Sequence, residues 1–269
     1  MSHAITLLDG AAGTALWAMA EARGIPRLPV WQYNLIHPEL VSDLAARYAD
    51  AGSRILQANT FCANAAAAAA YPGFRAEPAV TAGVKLAKAA AGGRARVALD
   101  LGPLETVPAD RAERLEAAAV YDEQIGAGAD AGADLIFLQT FWAPSLLVLA
   151  AERAAQYGLP LFCAMTFGAD GATFGGVTPE AMVRLLAPYH PAAVGLNCSP
   201  GTAAAAGVLE AFRRCTDLPL ICKPNMPPEH DPEDFARAMG PALELADYAG
   251  GCCGTTPEDI AALGRRLGK

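Results

Sequence analysis

Ala193-Val194-Gly195-Leu196-Asn197-Cys198-Ser199 is a short apolar run that stops at polar residues and a thiol, and residues 202–214 after it space their apolar side chains at helical intervals. That is one strand followed by one helix. Working outward, the same unit recurs along the chain. Residues 6–8 run into Asp9-Gly10, 54–58 into Asn59-Thr60-Phe61, and 96–99 into Asp100-Leu101-Gly102. Residues 135–138 run into Gln139-Thr140-Phe141, 161–164 into Met165-Thr166-Phe167, 218–222 into Lys223-Pro224-Asn225, and 247–251 into Cys252-Cys253-Gly254. Helical patterns occupy 38–51, 109–131, 179–186, 202–214, 232–245 and 257–267, several of them opening on Pro, which suits a first helical turn.

Short, nearly all-apolar strands alternating with helices predict an α/β chain whose parallel sheet is covered on its outer side. Eight such units in 269 residues fit a single (β/α)8 barrel of TIM type, whose usual length is roughly 250 residues. The competing fold, an open doubly wound sheet, would carry a dinucleotide fingerprint after its first strand. Asp9-Gly10-Ala11-Ala12-Gly13-Thr14 has two glycines at the wrong spacing for it. No linker or composition break interrupts the chain, so residues 1–269 read as one barrel domain. In such a barrel the C-terminal strand ends form one face, and the polar residues Asp9, Asn59, Asp100, Gln139, Asn197, Asn225 and the thiols after strands six and eight converge on it.

Composition narrows the partners. A net charge of −8 with no basic run argues against a nucleic-acid surface. There is no basic-then-apolar start of the signal-peptide kind and no apolar stretch of spanning length, so a membrane role is not expected. Seven cysteines, odd in number and scattered, fit a reducing cytoplasm better than a disulfide framework. Cys62, Cys163, Cys215 and Cys222 read as small core residues. Small molecules or other proteins remain as partners.

Cys198, Cys252 and Cys253 are different, because each follows a predicted strand. Three thiolates can hold one Zn2+ with its fourth position open, the arrangement of a catalytic rather than a structural zinc. Cys252 and Cys253 are neighbours, and strand side chains alternate faces, so both reach one metal only if the backbone leaves strand geometry. Gly250, Gly251 and Gly254 allow that departure. Cys198 is expected across the mouth from them. None of His3, His37, His190 and His230 stands at ligand spacing. Three thiolates overcompensate the charge of the ion, which suits it to bind a substrate thiol as thiolate rather than to activate water. A free thiol has a pKa near ~8.5, and its deprotonated form is the nucleophile. A structural metal or a strained vicinal disulfide is the alternative use of the same residues.

Gly250-Gly251-Cys252-Cys253-Gly254-Thr255-Thr256-Pro257, with Gly195-Leu196-Asn197-Cys198-Ser199, resembles the homocysteine S-methyltransferase family. That family includes the homocysteine module of cobalamin-dependent methionine synthase and the betaine– and S-methylmethionine–homocysteine methyltransferases. Asp9 to Thr14, Gly52 through Phe61, Met165-Thr166-Phe167 and Pro224-Asn225 extend the likeness from about Leu7 to Gly264. The resemblance implies zinc on Cys198, Cys252 and Cys253, with the acceptor sulfur as fourth ligand and methionine as product. It also implies that Asn225 can fill the fourth place without substrate. Asp9, Gly10, Gly13 and Thr14 would lie over the amino-acid part of the acceptor, where Gly10 and Gly13 also suit a tight turn. Asn59, Thr60, Gln139 and Asn197 would line the same pocket.

Two positions depart from the family pattern. The resemblance implies a carboxylate at the end of strand four, meeting the acceptor ammonium, where this chain has Gln139. It often has Glu before the Pro-Asn of strand seven, where this chain has Lys223, either a pocket residue or a solvated rim residue. A neutral and a basic residue thus replace two acids. Homocysteine leads as acceptor, with another thiol, lacking the ammonium or carrying extra negative charge, as the alternative. The sequence contains no Asp-x-His-x-x-Gly corrinoid signature, so the donor is expected to be a separate molecule: S-methylmethionine, betaine, S-adenosylmethionine or a separate methyl-corrinoid protein.

Overall fold

Among the described residues eight short strands run parallel. The computed structural model describes residues 4–199, 201–227 and 229–269, so His3 lies outside the described residues. The strands are β1 (Thr6–Leu7), β2 (Ile55–Gln57), β3 (Arg96–Leu101), β4 (Leu135–Phe141), β5 (Leu161–Met165), β6 (Ala193–Asn197), β7 (Leu220–Lys223) and β8 (Tyr248–Ala249). Their order is β1-β8-β7-β6-β5-β4-β3-β2. Strands β4 to β7 are buried on both faces, while β1 and β8 each carry one half-buried residue. A parallel bridge between Leu8 and Ile55 and the bond from Arg54 N to Leu7 O at 2.8 Å join the two ends. The result is a (β/α)8 TIM-type barrel with helices around it. Among the described residues no helix is long and apolar enough to cross a membrane.

The alternation of strand side chains divides the core in two. Outward-facing residues such as Leu99, Ile136, Cys163, Leu196 and Cys222 pack with the helices. Inward-facing Leu8, Ile55, Ala98, Leu135, Phe137, Phe162, Ala164, Ala193 and Ile221 form a separate plug inside the barrel, capped below by Tyr248. One step of two residues further along the strands brings Gln57, Asp100, Gln139, Asn197 and Lys223 onto the same interior side. A polar layer therefore sits on an apolar one, toward the C-terminal face.

Helix starts follow from local chemistry. Asp110 accepts from Ala112 N and Glu113 N and opens Arg111–Asp130. Asp231 caps Pro232–Ala238, and Thr256 forms a capping box with Asp259 at the start of Pro257–Arg266. The pattern over 232–245 is not one helix: it divides into Pro232–Ala238 and Gly240–Leu243, because Gly240-Pro241 interrupts the backbone ladder. The helices Gly13–Ala22, Ala76–Ala91 and Pro144–Ala154 add to the expected set. Strands β3 and β4 run past their apolar stretches to include Asp100 and Gln139.

Gly195 marks the tightest interior approach. A Cβ placed there would overlap the backbone carbonyl of Ile221 on β7, which cannot move aside inside the sheet. Gly195→Ala should therefore destabilise the barrel by about 3 kcal/mol or more, at or beyond the upper end of overpacking costs. Urea unfolding of the variant checks this, with a shift in midpoint at unchanged slope as the expected result.

Candidate functional site: a thiol cluster over a buried polar layer

Three backbone segments bring the cysteines together. β6 and β8 flank β7 in the sheet. Past the strand ends the pairing continues: Cys198 N donates to Lys223 O at 3.1 Å, and Asn225 N to Ser199 O at 3.0 Å. On the other side Cys252 N donates to Pro224 O and Met226 N to Cys253 O, both at 2.9 Å. Residues 224–226 are thus the central rail, with Cys198 on one side and the Cys252-Cys253 pair on the other. The thiols do not face each other across the mouth, because only one strand separates them.

The sulfur atoms of Cys198, Cys252 and Cys253 all lie within 4.8 Å of one another, and Cys198 and Cys253 are 3.8 Å apart. Strand pairing at β8 ends at Ala249, so the neighbouring cysteines are released from strand alternation. Gly254 completes the turn with φ +86°, and a Cβ on it would overlap the carbonyl of Met226. Gly250 and Gly251 have no positive φ; they are needed for space, against Asp9 O and the Thr255 side chain. Cys198 itself sits at φ 52°, a left-handed conformation that costs a non-glycine residue about 1–3 kcal/mol.

Crowding three thiols separates their proton affinities. Hydrogen bonding from Cys198 and Cys252 pulls the Cys253 thiol well down. Contacts with Cys252 and Cys253, followed by burial, push Cys198 up. The cluster offers soft anionic donors that a divalent cation would hold together. Asn225 completes its surroundings. Its Nδ2 donates to Cys198 O at 3.1 Å and lies 3.6 Å from Cys198 Sγ, while its Oδ1 is buried without a hydrogen-bond partner. The other cysteines lie apart from this cluster. Cys163 and Cys222 are buried in the core, where burial pushes Cys222 up to about 12. Cys62 and Cys215 are half-buried, and burial raises both, Cys62 to about 11.

Below the thiols lies the polar layer. Asn197 is fully buried and reads out in four directions. Its Oδ1 accepts from Thr140 N at 2.7 Å, and its Nδ2 lies 2.6 Å from Thr140 Oγ1, 3.3 Å from Gln139 Oε1 and 3.9 Å from Cys252 Sγ. Thr140 has φ 61°, at the point where the β4–β5 register shifts. The Asn197 amide holds it there. Gln139 Nε2 in turn donates to Asp100 Oδ2 at 2.7 Å.

Lys223 is not a rim residue. Its side chain is 1% exposed, and its ammonium donates to Asp9 Oδ1 at 2.8 Å and to Gln57 Oε1. It is buried because β7 points it inward, one step above Ile221. Asp9 Oδ2 accepts from Gln57 N at 2.6 Å, so both carboxylate oxygens of Asp9 are engaged.

The opening loop is clasped to the cysteine turn. Ala11 N donates to Thr255 Oγ1 at 3.2 Å, Gly251 N to Asp9 O at 3.1 Å, and Gly254 N to Thr14 Oγ1 at 3.5 Å. Gly10 is packed against Thr255 and the Tyr48 hydroxyl, with no room for a side chain. Gly13 is the first residue of a helix and has open space around it. Asn59 and Thr60 serve the framework. Asn59 Nδ2 donates to Val30 O and Asn34 Oδ1, and Thr60 Oγ1 bridges Asp100 N and Asp100 O. His230 bonds Pro227 O and Asp259 and takes no part in the thiol cluster.

Asp100 falls among the strand-end polar residues that the sequence places on this face, but the resemblance assigns it no role in the site. It is 4% exposed, and its Oδ1 has no hydrogen-bond partner. Burial pushes its carboxyl well above the usual range, opposed by Lys223 and the Gln139 hydrogen bond and reinforced by Asp9 and Cys252.

Comparison with known proteins places the chain among relatives. The family profile for homocysteine S-methyltransferase matches residues 6–267. The homocysteine methyltransferase MmuM from Escherichia coli, in its oxidized form, is 26% identical with a TM-score of 0.84, covering 97% of this chain and 96% of that one. Its metallated form gives 26% and 0.81 over the same shares, and its apo form 27% and 0.79 over 97% and 95%.

The unpartnered acid gives a measurable signature. Because the folded-state pKa of Asp100 is raised, its contribution to stability is full below the unfolded value of about 3.9 and is lost as pH rises through the raised value. Asp100→Asn should therefore be more stable than the parent at pH 8, by about 1–3 kcal/mol, and the gap should narrow toward pH 4. Thermal unfolding across that range in chelator, so that metal loss does not contribute, checks the sign.

Proposed function

Because the chain belongs to the homocysteine S-methyltransferase family, we propose that it is a zinc-dependent methyltransferase that moves a methyl group from a separate donor to the sulfur of homocysteine. The observation that carries the zinc assignment is the sulfur triangle. Tetrahedral zinc with Zn–S near 2.3 Å sets its sulfur ligands about 3.8 Å apart, and Cys198 and Cys253 stand 3.8 Å apart with Cys252 alongside. The unpartnered Asn225 Oδ1 beside Cys198 supports a fourth protein ligand in the absence of acceptor. Bound there, zinc supplies the positive charge that lets an acceptor thiol lose its proton at neutral pH.

The chain's own residues do the rest. Cys198, Cys252 and Cys253 present their sulfurs from a rigid rail of paired backbone. Asn197 fixes the height of the cluster over the polar layer by contacting Cys252 and Gln139 together. Asp9, Gly10, Gly13 and Thr14 form the opening segment that closes against the Gly250–Thr255 turn, with backbone held from below by the Tyr48 hydroxyl at 2.8 Å from Ala11 O. In the overall reaction the acceptor sulfur gains the methyl carbon and the donor heteroatom or corrinoid leaves with the bonding electron pair. Enforced alignment of the two is the barrel's contribution to rate. S-methylmethionine, betaine, S-adenosylmethionine and a methyl-corrinoid protein are the donors to compare.

Purified protein should carry about one zinc per chain. Cys252→Ala should lose both the metal and methyl transfer to homocysteine. Elemental analysis and a donor-by-acceptor assay with the four donors measure the two together. Full transfer by a chelated, zinc-free preparation would defeat the assignment.

A further inference from the structure

Beside the thiol cluster, but outside it, His230 and Asp259 form a buried pair, their side chains 8% and 0% exposed. His230 Nε2 lies 2.7 Å from Asp259 Oδ1, and its Nδ1 lies 2.7 Å from Pro227 O. Both neighbours are oxygens that can only accept, and an imidazole carrying both its protons donates to each. Phe235 packs against the imidazole in a T-shaped contact. The other Asp259 oxygen accepts from Thr256 N at 2.7 Å and from Thr256 Oγ1 at 3.0 Å, as part of the capping box that opens Pro257–Arg266. Asp259 is thus anchored on a helix and turned toward His230.

The two residues that this pair reaches belong to the two segments that build the site. Pro227 follows the rail 224–226, on which Asn225 stands. Thr256 follows the cysteine turn. The segments also touch directly. Met226 N donates to Cys253 O at 2.9 Å, and a Cβ on Gly254 would overlap Met226 O and press on Pro227 O. A closed circuit results, from Gly254 through Thr256, Asp259 and His230 to Pro227 and back to Gly254, and His230 is the side chain that closes it. Cys253 and Gly254 lie directly against Met226 and Pro227. A turn that loosens to free a sulfur must therefore push that segment away, against the clasp of His230 on Asp259.

We propose that His230 is a positioning residue of the metal-binding site: it clamps the segment bearing Asn225 onto the cysteine turn and so sets how long the cluster keeps its ion when no acceptor is bound. This rests on the reading of the thiol cluster as a zinc site. His230 contacts none of the three sulfurs and acts through Pro227 and Asp259. Without it, Asp259 Oδ1 would be left buried without its donor, and the Pro227 carbonyl would be released from the circuit.

The test is the rate at which zinc-loaded protein, free of acceptor, gives up its metal to excess EDTA, followed by elemental analysis of the desalted protein. His230→Ala should release zinc about 10-fold faster or more, the scale set by loss of one charge-assisted hydrogen bond. His230→Gln, whose amide can still donate toward Asp259, should fall between that variant and the parent, and it gives the readout should His230→Ala fail to fold. Arg153→Ala, which removes the Arg153–Asp122 ion pair far from this circuit, should release zinc at the parent rate. Release at the parent rate from every His230 variant that folds overturns the inference. An equal acceleration in Arg153→Ala overturns it too, because the effect is then one of general stability. A parent that binds no zinc defeats the reading of the cluster itself and this inference with it.

Discussion

A lysine ammonium inside a barrel must have an anion against it, and that requirement organises the mouth of this molecule. Lys223 stands on the interior side of β7, almost fully buried. Leaving such a charge unpaired would cost several kcal/mol, on the order of 3–5 when one partner of a buried pair is removed. Asp9 meets the need, and doing so draws the segment after β1 inward over the barrel. That segment then lies against the cysteine turn through Thr255 and Gly251. The pair also spans β8, the two-residue strand between β7 and β1. Because the Lys223 ammonium is hydrogen-bonded to Asp9 and Gln57, the second buried acid, Asp100, has no ion pair of its own in the layer. The placing of one cation and two acids thus sets the shape of the opening.

The thiol cluster is built by a different logic. No single strand could place Cys252 and Cys253 on the same side, so pairing at β8 ends at Ala249 and the turn is closed at Gly254. The loss of strand geometry does not mean loss of order. Cys252 and Cys253 keep backbone bonds to the segment after β7, and Cys198 keeps one from the other side. The three sulfurs are therefore held by the sheet's own hydrogen bonds carried past its formal end. This is the kind of support that lets a site bind without first reorganising.

Much of this is legible in the chain. Parallel strands buried on both faces read as apolar runs, which is why all eight can be found and why the barrel follows from their number. The motif around Cys252 and Cys253 is equally direct. Where β3 and β4 end is not legible, because Asp100 and Gln139 are polar and a polar residue reads as the end of a strand. They are interior all the same, since the barrel's inner layer at that height is polar. The helix Ala76–Ala91 is rich in alanine, and its buried stripe is made mostly of Ala and Gly with only Val80 and Val84 larger, so few bulky apolar side chains mark its period. Lys223 reads equally well as a rim residue, and only the direction of β7 decides otherwise. Asp100 is hardest of all: which buried acid goes without a partner depends on how every neighbouring donor is allocated, and that is a property of the assembled layer.

The closure of the cylinder carries its own consequence. β1 and β2 meet through one bridge and one flanking backbone bond, and both β1 and β8 are only two residues long. Every other seam has more rungs. Amide protons along this thin seam have the fewest bonds to break before solvent reaches them, so transient opening is concentrated there. The seam borders the opening segment and the cysteine turn. The part of the wall held by the fewest rungs is therefore the one that carries the opening segment, and the clasp of that segment to the cysteine turn through Thr255 and Gly251 ties it to the better-laced strands beyond.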